Sequence, residues 1–482
     1  MSLKNTALSG MVWTFAEQFG NQIINFIVTI FLARILLPED FGTIAMFTVF
    51  VLVAGTITDG GLGSSLIRTK NPDQADFSTV FIFSIAISLL MYVLLFFTAP
   101  FISEFYNLPK LTEIIRLYSI SIVISPLASI QKIILTKKMD FKTQFKIQLP
   151  SLILSGVLGI VLALNGFGVW SLVYSAVFKT LLSTVQYWFY GKWRPSFLFS
   201  KEKFLLHFNF GYKMTLSNLI NTVFNNIYSL IIGKAFSPAL LGYYNRADTL
   251  KQLPINNLSS ALNRVTFPLF AEISHDNVRL KEVYRKLLKA VIFITAPLLI
   301  FMVVSAEPLI RFLLTEKWLP AVPYFQILSI AGILYPIHSY NLNILQVKGR
   351  SDLFLKLEII KKAILLVILY LSFQFGIYGL LWGQVIFSML AFFINTHFSG
   401  QILKYNSLQQ FLDLMPSITI AGVVGGFVFF LDQWVFINFI DVFRIIFIFS
   451  SYFLFFFCLV CVLKFAEIDF LRGLLKKNKD LE

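Results

Sequence analysis

The sequence is poor in charge. Charged residues make up 13% of its 482 residues, whereas 57% are hydrophobic and the mean hydropathy is +0.77. Soluble domains carry about 25% charged residues, which they need to cover their surfaces. The composition therefore excludes an ordinary soluble protein and predicts a polytopic membrane protein.

Residues that bind metals and cofactors are also few. Both cysteines, Cys458 and Cys461, lie in the apolar run FFFCLVCVLKF, and the four histidines are scattered without metal-ligand spacing. The sequence contains no glycine-rich lysine loop of the kind that binds nucleotide phosphates. We therefore predict no metal, no cofactor and no nucleotide hydrolysis in this chain.

Apolar runs that are long enough to cross a membrane recur along the chain. A bilayer core about 30 Å thick requires about 20 apolar residues in each helix. The runs predict fourteen transmembrane helices, near residues 9–31, 41–66, 77–101, 114–135, 149–166, 168–190, 213–233, 252–272, 289–313, 320–345, 357–374, 376–400, 412–431 and 441–463. The connections are too short for a soluble domain, and the first run has no cleavage site, so we expect it to be retained.

The net charge of the chain is +15, and its basic residues are concentrated on one predicted side of the membrane. With a cytoplasmic N-terminus, most of the 40 lysine and arginine residues fall in cytoplasmic connections, for example TKKMDFKTQFK (136–146). This asymmetry follows the positive-inside rule. The excess of basic residues is therefore explained by membrane topology, and we predict no nucleic-acid partner. The even number of spans places both termini in the cytoplasm, including the basic tail LRGLLKKNKDLE (471–482).

The chain repeats its own proline and glycine pattern. LARILLPEDFGTIAM (32–46) aligns with IGKAFSPALLGYYNR (232–246) at an offset of 200 residues. The matches, in order, are Asn21 with Asn221, Asn25 with Asn225, Pro38 with Pro238, Gly42 with Gly242, Pro100 with Pro308, Pro126 with Pro336, and FGVWSLV (167–173) with FGIYGLL (375–381). A unit of six spans therefore occurs twice, and both copies enter the membrane in the same direction.

The repeat predicts the fold class and the domains. We expect an all-α integral membrane protein with two six-helix lobes in a parallel pseudo-two-fold repeat, plus two C-terminal helices. The predicted parts are an N-lobe (1–190), a cytoplasmic linker (191–212), a C-lobe (213–400) and a C-terminal helix pair with the tail (401–482). Two such lobes around a central cavity can alternate its access between the two membrane sides.

Polar residues form a stripe in the first span and again in the seventh. Glu17, Asn21 and Asn25 are four residues apart and share one helix face, and Asn221 and Asn225 repeat the pattern. Such stripes face a partner helix or a watery cavity. The asparagines therefore either bind substrate or form interhelical hydrogen bonds, and Glu17 is our first candidate for ion or proton coupling.

Two basic residues lie deep in predicted spans. Lys179 is near the middle of the sixth span and Arg264 is in the eighth. A cation at the bilayer centre costs about 2.5–3.5 kcal/mol, which requires a reason for its presence. These two residues either form a cationic cavity for an anionic substrate or pair with an acid such as Glu17 or Asp59.

Three further charged residues are candidates near span ends. Asp59, in TDGGLGSSLIR (58–68), is either a coupling residue or a local helix cap. Arg34 and Arg246 are predicted at the outer mouth, as solvated surface charge or as a second basic station for a departing anion.

Three segments resemble a known family: LARILLPEDFGTIAM, TDGGLGSSLIR, and YYNRADTLKQLPINNLSSALNRVTFPLFAEIS (243–274). They look like bacterial polysaccharide flippases of the O-antigen, colanic-acid and teichuronic-acid branch, within the multidrug/oligosaccharidyl-lipid/polysaccharide exporter superfamily. The likeness covers nearly the whole chain, and the pattern Y-x-R-A followed by L-P and F-P is typical of that branch.

The resemblance implies a function. It implies two six-helix lobes in a V, and transport of an oligosaccharide repeat unit on undecaprenyl pyrophosphate from the inner to the outer leaflet of the bacterial inner membrane. Arg264, Lys179 and Arg246 would then face the pyrophosphate. Further partners would be membrane lipids, a polysaccharide polymerase and chain-length machinery.

Other functions are weaker. A drug exporter of the same superfamily usually has twelve spans and an acidic cavity, whereas this interior is predicted to be basic. A glycan polymerase or glycosyltransferase usually carries a large external loop, which the short connections exclude, so we expect no enzyme. A scaffold protein that transports nothing would have no need for charged residues within its membrane spans.

Overall fold

The structure is a computed structural model that describes residues 3–465 and 467–468. Over these residues it is helical and contains no β-strand. The chain separates into two compact units, residues 1–242 and 243–482, which are described in turn. The basic tail (471–482) lies outside the described residues.

The first unit is built from antiparallel and broken helices. Its helices are α1 (Leu3–Ile35), α2 (Pro38–Asp59), α3 (Leu62–Arg68), α4 (Gln74–Phe105), α5 (Leu111–Tyr118), α6 (Ile120–Ile124), α7 (Ser129–Lys137), α8 (Phe141–Leu164), α9 (Val169–Tyr190), α10 (Lys201–Asn225), α11 (Ile227–Ala235) and the start of α12 (Pro238–Glu272). A 3-10 turn, Ser125–Ala128, connects α6 to α7. Helix α8 packs on α1 and α9, and α10 packs on α2, α3 and α4.

The second unit contains the rest of α12 and eight further helices. These are α13 (Asn277–Val304), α14 (Ala306–Leu314), α15 (Val322–Gly332), α16 (Tyr335–Val347), α17 (Ser351–Phe373), α18 (Gly376–Leu403), α19 (Ser407–Leu431) and α20 (Asp441–Val462). Helix α13 packs on α19 and α15, and α18 packs on α15 and α17. The matched prolines Pro126 and Pro336 both lie at helix interruptions, because proline removes a backbone donor.

Nine helical stretches within the described residues are long and apolar enough to cross a membrane. They are Pro38–Arg68, Gln74–Phe105, Leu111–Lys137, Phe141–Leu164, Asn277–Val304, Glu316–Val347, Gly376–Leu403, Ser407–Phe436 and Asp441–Val462. Each overlaps a predicted span, but the predicted ninth span (289–313) starts within α13 and crosses the break at Ser305 into α14. The other five predicted spans fall on α1, α9, α10–α11, α12 and α17, whose polar and charged residues lower their hydropathy, so the count of fourteen stays a prediction.

The predicted linker 191–212 differs from the structure in its second half. Residues 191–200 connect two helices without regular structure, but α10 begins at Lys201. The Ser200 hydroxyl caps this helix by accepting a hydrogen bond from the Lys203 backbone N–H (3.3 Å). The predicted seventh span (213–233) is interrupted at Asn226, between α10 and α11.

A buried polar cluster joins α3, α4 and α10. His207 contacts Asp76 (Nε2–Oδ1, 3.1 Å) and Ser65 (Nδ1–Oγ, 2.8 Å), and Lys203 donates to Asp76 (3.1 Å). Asp76 and His207 are 1% and 0% exposed. We call these four residues the paired cluster. Because its buried groups have hydrogen-bond partners, it holds the beginning of α10 on α3 and α4.

A second buried ion pair lies in the second unit. Arg444 of α20 donates two hydrogen bonds of 2.6 Å to Asp432, and both side chains are 1% exposed. Glu307 of α14 accepts a further bond from Arg444 (3.2 Å). This bidentate geometry attaches the C-terminal helix α20 to α14 and to the residues that follow α19.

The first turns of α2 and α12 approach closely at the matched glycines. A Cβ atom on Gly42 would lie 1.7 Å from the carbonyl oxygen of Pro238, and one on Gly242 would lie 2.0 Å from that of Pro38. Both distances are far below van der Waals contact, so only glycine fits at either position. The contact is reciprocal: each glycine meets the carbonyl of the proline that starts the other helix.

Candidate functional site

A cavity of about 690 Å³ lies in the first unit. We call it the polar cavity. Six residues of α2 line it, and four of them, Leu52, Gly55, Thr56 and Asp59, have the spacing i, i+3, i+4 and i+7 that places them on one helix face. This face is therefore mixed, with one apolar side chain, one hydroxyl and one carboxylate.

Helix α10 supplies the most polar part of the wall. Asn218, Asn221, Thr222 and Asn225 line the cavity and again have the spacing i, i+3, i+4 and i+7. The Thr222 hydroxyl lies 3.4 Å from that of Thr56 on α2. Three amides and one hydroxyl thus project from a single face of α10.

Small hydroxyl residues complete the wall. Ser121, Ser125 and Ser129 line the cavity at four-residue intervals around the interruption at Pro126, and Thr180 contributes from α9. Several of these hydroxyls donate to carbonyl oxygens of their own helix: Ser121 to Tyr118 (2.7 Å), Thr180 to Ala176 (3.1 Å) and Thr56 to Leu52 (2.8 Å). Since each proton is used locally, these oxygens present acceptor lone pairs.

The one ionisable residue among those that line the polar cavity is Asp59. Its side chain is exposed and forms no ion pair or hydrogen bond within the described part of the chain. A carboxylate accepts hydrogen bonds or binds a cation, and it repels anions.

The structure brings together three of the predicted site residues. Asn221, Asn225 and Asp59 all line the polar cavity. Among the described residues Asp59 forms no ion pair, so the alternative in which it pairs with a cation within the spans is not observed there. The polar stripe of the seventh span therefore faces a cavity at this level of α10.

Other predicted residues of the first unit are not on this wall. Glu17 and Asn21 are half-buried, whereas Asn25 and Arg34 are exposed, all on α1. Lys179 is half-buried on α9 and makes no ion pair with any described residue. It is adjacent to the wall residue Thr180 but is not itself among the residues that line the cavity. The prediction of a cationic cavity therefore does not describe this cavity, whose charge is that of Asp59.

The remaining two predicted residues lie in the second unit. Arg264 is exposed on α12. Arg246 is buried, and its guanidinium lies 5.7 Å from the centre of the Trp318 ring. This distance is within the range of a cation–π interaction. Arg246 therefore packs against Trp318 and also carries a charge.

The sequence analysis missed several wall residues. Asn218 lies three residues before Asn221 and Thr222 lies three residues before Asn225, so a search at three- and four-residue spacing from the two predicted asparagines finds both. The serines near Pro126 and Thr56 lack such a signal, because serine and threonine are common in membrane helices and usually bond to their own backbone.

The profile of the polysaccharide biosynthesis protein family matches residues 31–323. The match covers more than half of the chain. The protein belongs to this family. The predicted resemblance to bacterial polysaccharide transporters is confirmed at this level, and the chain is a multi-pass membrane protein of polysaccharide biosynthesis.

Individual relatives match over most of the chain. The teichuronic acid biosynthesis protein TuaB of Bacillus subtilis (strain 168) is 28% identical over 431 residues, which is 88% of each chain. The succinoglycan biosynthesis transport protein ExoT of Rhizobium meliloti (strain 1021) is 26% identical over 336 residues, 70% of this chain and 68% of ExoT.

The fold is similar to that of a solved transporter. The lipid II flippase MurJ, in an inward closed conformation, superimposes with a TM-score of 0.69 at 14% identity, covering 94% of this chain and 99% of MurJ. At this identity the likeness concerns the fold alone.

Proposed function

We propose that the protein is a flippase. It moves an undecaprenyl-pyrophosphate-linked oligosaccharide repeat unit from the cytoplasmic to the outer leaflet by alternating access, for O-antigen, capsule or exopolysaccharide synthesis. The observation that carries the proposal is a hydroxyl- and amide-lined cavity within the helices of a polysaccharide biosynthesis family member. Relatives that are named for teichuronic acid synthesis and for succinoglycan transport support it.

The physical need for such a cavity follows from the substrate. Sugar hydroxyls and a pyrophosphate lose their hydration in hydrocarbon, at a cost of several kcal/mol for each unsatisfied group. A polar wall replaces part of this hydration, while the polyprenyl tail remains in lipid. Transport further requires that the wall binds weakly enough to release the glycan on the other side.

We assign the substrate groups as follows. Arg264, Lys179 and Arg246 bind the pyrophosphate, with Arg34 as a further basic contact. The glycan contacts the asparagines Asn21, Asn25, Asn221 and Asn225. Glu17 and Asp59 are the candidates for coupling an ion or proton gradient to transport. The positions of Asn221, Asn225 and Asp59 on the cavity wall support their part of this assignment.

We further propose the full architecture of fourteen spans, with lobes at 1–190 and 213–400 and a helix pair at 401–482. Both termini are cytoplasmic in the bacterial inner membrane, where a polymerase and chain-length machinery receive the product. The matched helix interruptions at Pro126 and Pro336 support the repeat, as does the reciprocal contact of Gly42 and Gly242.

The repeat has its own test. Gly42→Ala and Gly242→Ala place a methyl group against the partner carbonyl from opposite sides, so we expect equal and nearly complete loss of glycan export. The control is Gly422→Ala, where an added Cβ meets no atom within 4 Å. Loss of export in one glycine variant alone would argue against a symmetric role.

The flippase function is tested in the host cell. Depleting the protein should cause completed lipid-linked repeat units to accumulate in the cytoplasmic leaflet, which leaflet-selective labelling and extraction would measure. Arg264→Ala should abolish export at normal membrane insertion, whereas Arg279→Ala, an exposed arginine at the start of α13, should not. If depletion leaves only unfinished units or none, the flippase proposal is wrong.

A second function has one observation in its favour. Because the ionisable residue of the polar cavity is the acid Asp59, a cation- or proton-coupled drug exporter of the same superfamily remains the alternative. Efflux of cationic dyes from cells that overproduce the protein tests it. Energy-dependent efflux that Asp59→Asn abolishes would favour the exporter.

A further inference from the structure

The polar cavity differs from a phosphate site in its hydrogen-bonding groups. Phosphate oxygens accept hydrogen bonds and bind cations or N–H donors. The cavity instead presents acceptors on Thr56, Ser121 and Thr180, whose protons are bonded to their own helices. The amides of Asn218 and Asn221 provide both donors and acceptors. A ligand that both donates and accepts satisfies this mixture, as a sugar hydroxyl does.

The charge of the cavity wall also favours a sugar over a phosphate. Asp59 is exposed at the wall and has no hydrogen bond or ion pair within the described part of the chain. A carboxylate is an acceptor that forms strong hydrogen bonds to hydroxyl donors, but it repels a pyrophosphate. Among the lining residues no lysine or arginine offsets this repulsion.

The shape and apolar surfaces fit a sugar ring as well. A volume of about 690 Å³ is within the range of small-molecule sites, about 300–1,000 Å³. Val51, Leu52, Ile122 and Ile133 also line the cavity and add apolar surface to its wall. A pyranose ring has apolar C–H faces and a polar rim, so it needs both kinds of surface.

We propose that the polar cavity is a saccharide subsite, which binds uncharged sugar residues of the glycan and excludes the pyrophosphate. Asp59 and the hydroxyls of Thr56, Ser121 and Thr180 accept hydrogen bonds from sugar hydroxyls, and Asn218 and Asn221 donate to sugar oxygens. The inference rests on the proposed function, and it divides the substrate between this subsite and basic residues elsewhere in the chain.

The test compares two probes on the full-length protein in lipid nanodiscs. One probe is the lipid-linked glycan extracted from cells depleted of the protein, and the other is sugar-free undecaprenyl pyrophosphate. We expect Thr56→Val and Asp59→Asn each to weaken binding of the glycan probe about tenfold and to change binding of the sugar-free probe less than twofold.

Thr98→Val is the matched control. Like Thr56, Thr98 donates to the carbonyl four residues earlier in its helix at 2.8 Å (Leu94), but it does not line the cavity. Its substitution should leave the affinities for both probes unchanged. Normal thermal unfolding of all variants would show that they are folded.

The outcomes separate the two proposals. Equal weakening of both probes by Thr56→Val and Asp59→Asn, or weakening of the sugar-free probe alone, overturns the saccharide subsite and leaves the flippase intact. An Asp59→Asn effect that occurs only in sodium and disappears in choline would identify a cation ligand and overturn its sugar role. A wild-type protein that binds neither probe would overturn the flippase itself.

Discussion

Helix α10 carries two polar regions that differ in what satisfies them. At its beginning, His207 and Lys203 bond to Asp76 within the paired cluster, where Asp76 and His207 are almost fully buried. Further along, Asn218 and Asn225 project into the polar cavity and are exposed. The comparison shows that the polar residues at the beginning of α10 serve packing, because the protein supplies their partners, whereas the exposed amides further along face a cavity and are those that we propose bind a ligand.

The largest effect is expected at the buried ion pair of the second unit, where the protein again supplies the partners of its polar residues. Arg444→Met removes one partner of a buried ion pair and leaves Asp432 charged and unpaired, which should destabilise the protein by about 3–5 kcal/mol. Thermal unfolding in detergent measures the change. The control is Arg350→Met, which breaks an exposed pair with Asp352 and should cost less than about 1 kcal/mol. Equal effects of the two substitutions would contradict the packing role of Arg444.

A smaller loss of stability is expected in the paired cluster. His207→Ala deprives buried Asp76 and Ser65 of one partner each, at a cost of about 1–3 kcal/mol. Thermal unfolding again provides the measurement. Exposed His275 is the matched control, because His275→Ala should change stability by less than about 0.5 kcal/mol. A stable His207→Ala variant would mean that the cluster does not hold α10.

The comparison is sharpest between two aspartates. Asp59→Asn should leave the unfolding free energy within about 0.5 kcal/mol of wild type, because no described residue bonds to Asp59. Glycan export should nevertheless fall about tenfold, since a charged acceptor of the substrate is lost. Asp76→Asn should instead reduce stability and protein level. If Asp59→Asn also unfolds the protein, the two regions do not differ as described.

The smallest effect is a pH dependence at the start of α4. The Asp76 backbone N–H (2.8 Å), and then Lys203 (3.2 Å), hold the pKa of the Asp73 carboxyl below its usual value near 3.9. A lowered pKa stabilises the folded state above about pH 3.9, and this contribution is lost as the pH falls through the folded-state pKa.

The melting temperatures of wild type and Asp73→Asn should therefore differ at pH 6 and converge toward pH 3. Thermal unfolding in detergent at intervals of one pH unit measures this convergence. A difference that stays constant from pH 6 to pH 3 would show that the charge of Asp73 contributes nothing.

The sequence predicted that α10 has a polar face, but it did not predict all the residues of that face or where the helix begins. The spacing of Asn221 and Asn225 predicted a polar face, and that face lines the cavity. The same reasoning did not show that Asn218 shares it, nor that α10 begins at Lys201 within the predicted linker. For Lys179 the sequence indicated depth in the membrane, but the rotation of α9, which turns Thr180 and not Lys179 to the cavity, follows from packing.

The sequence alone determined the membrane class, the internal matches, the family, and nine of the fourteen predicted apolar stretches, which recur as long apolar helical stretches in the described part of the chain. These properties depend on local composition and order, which a linear reading preserves. The tertiary structure decided which polar residues meet. Thr56 and Thr222 are 166 residues apart, and Asp76 and His207 are 131 residues apart. Each pair depends on the rotation and tilt of two helices, which the packing of all their neighbours determines and no single segment encodes.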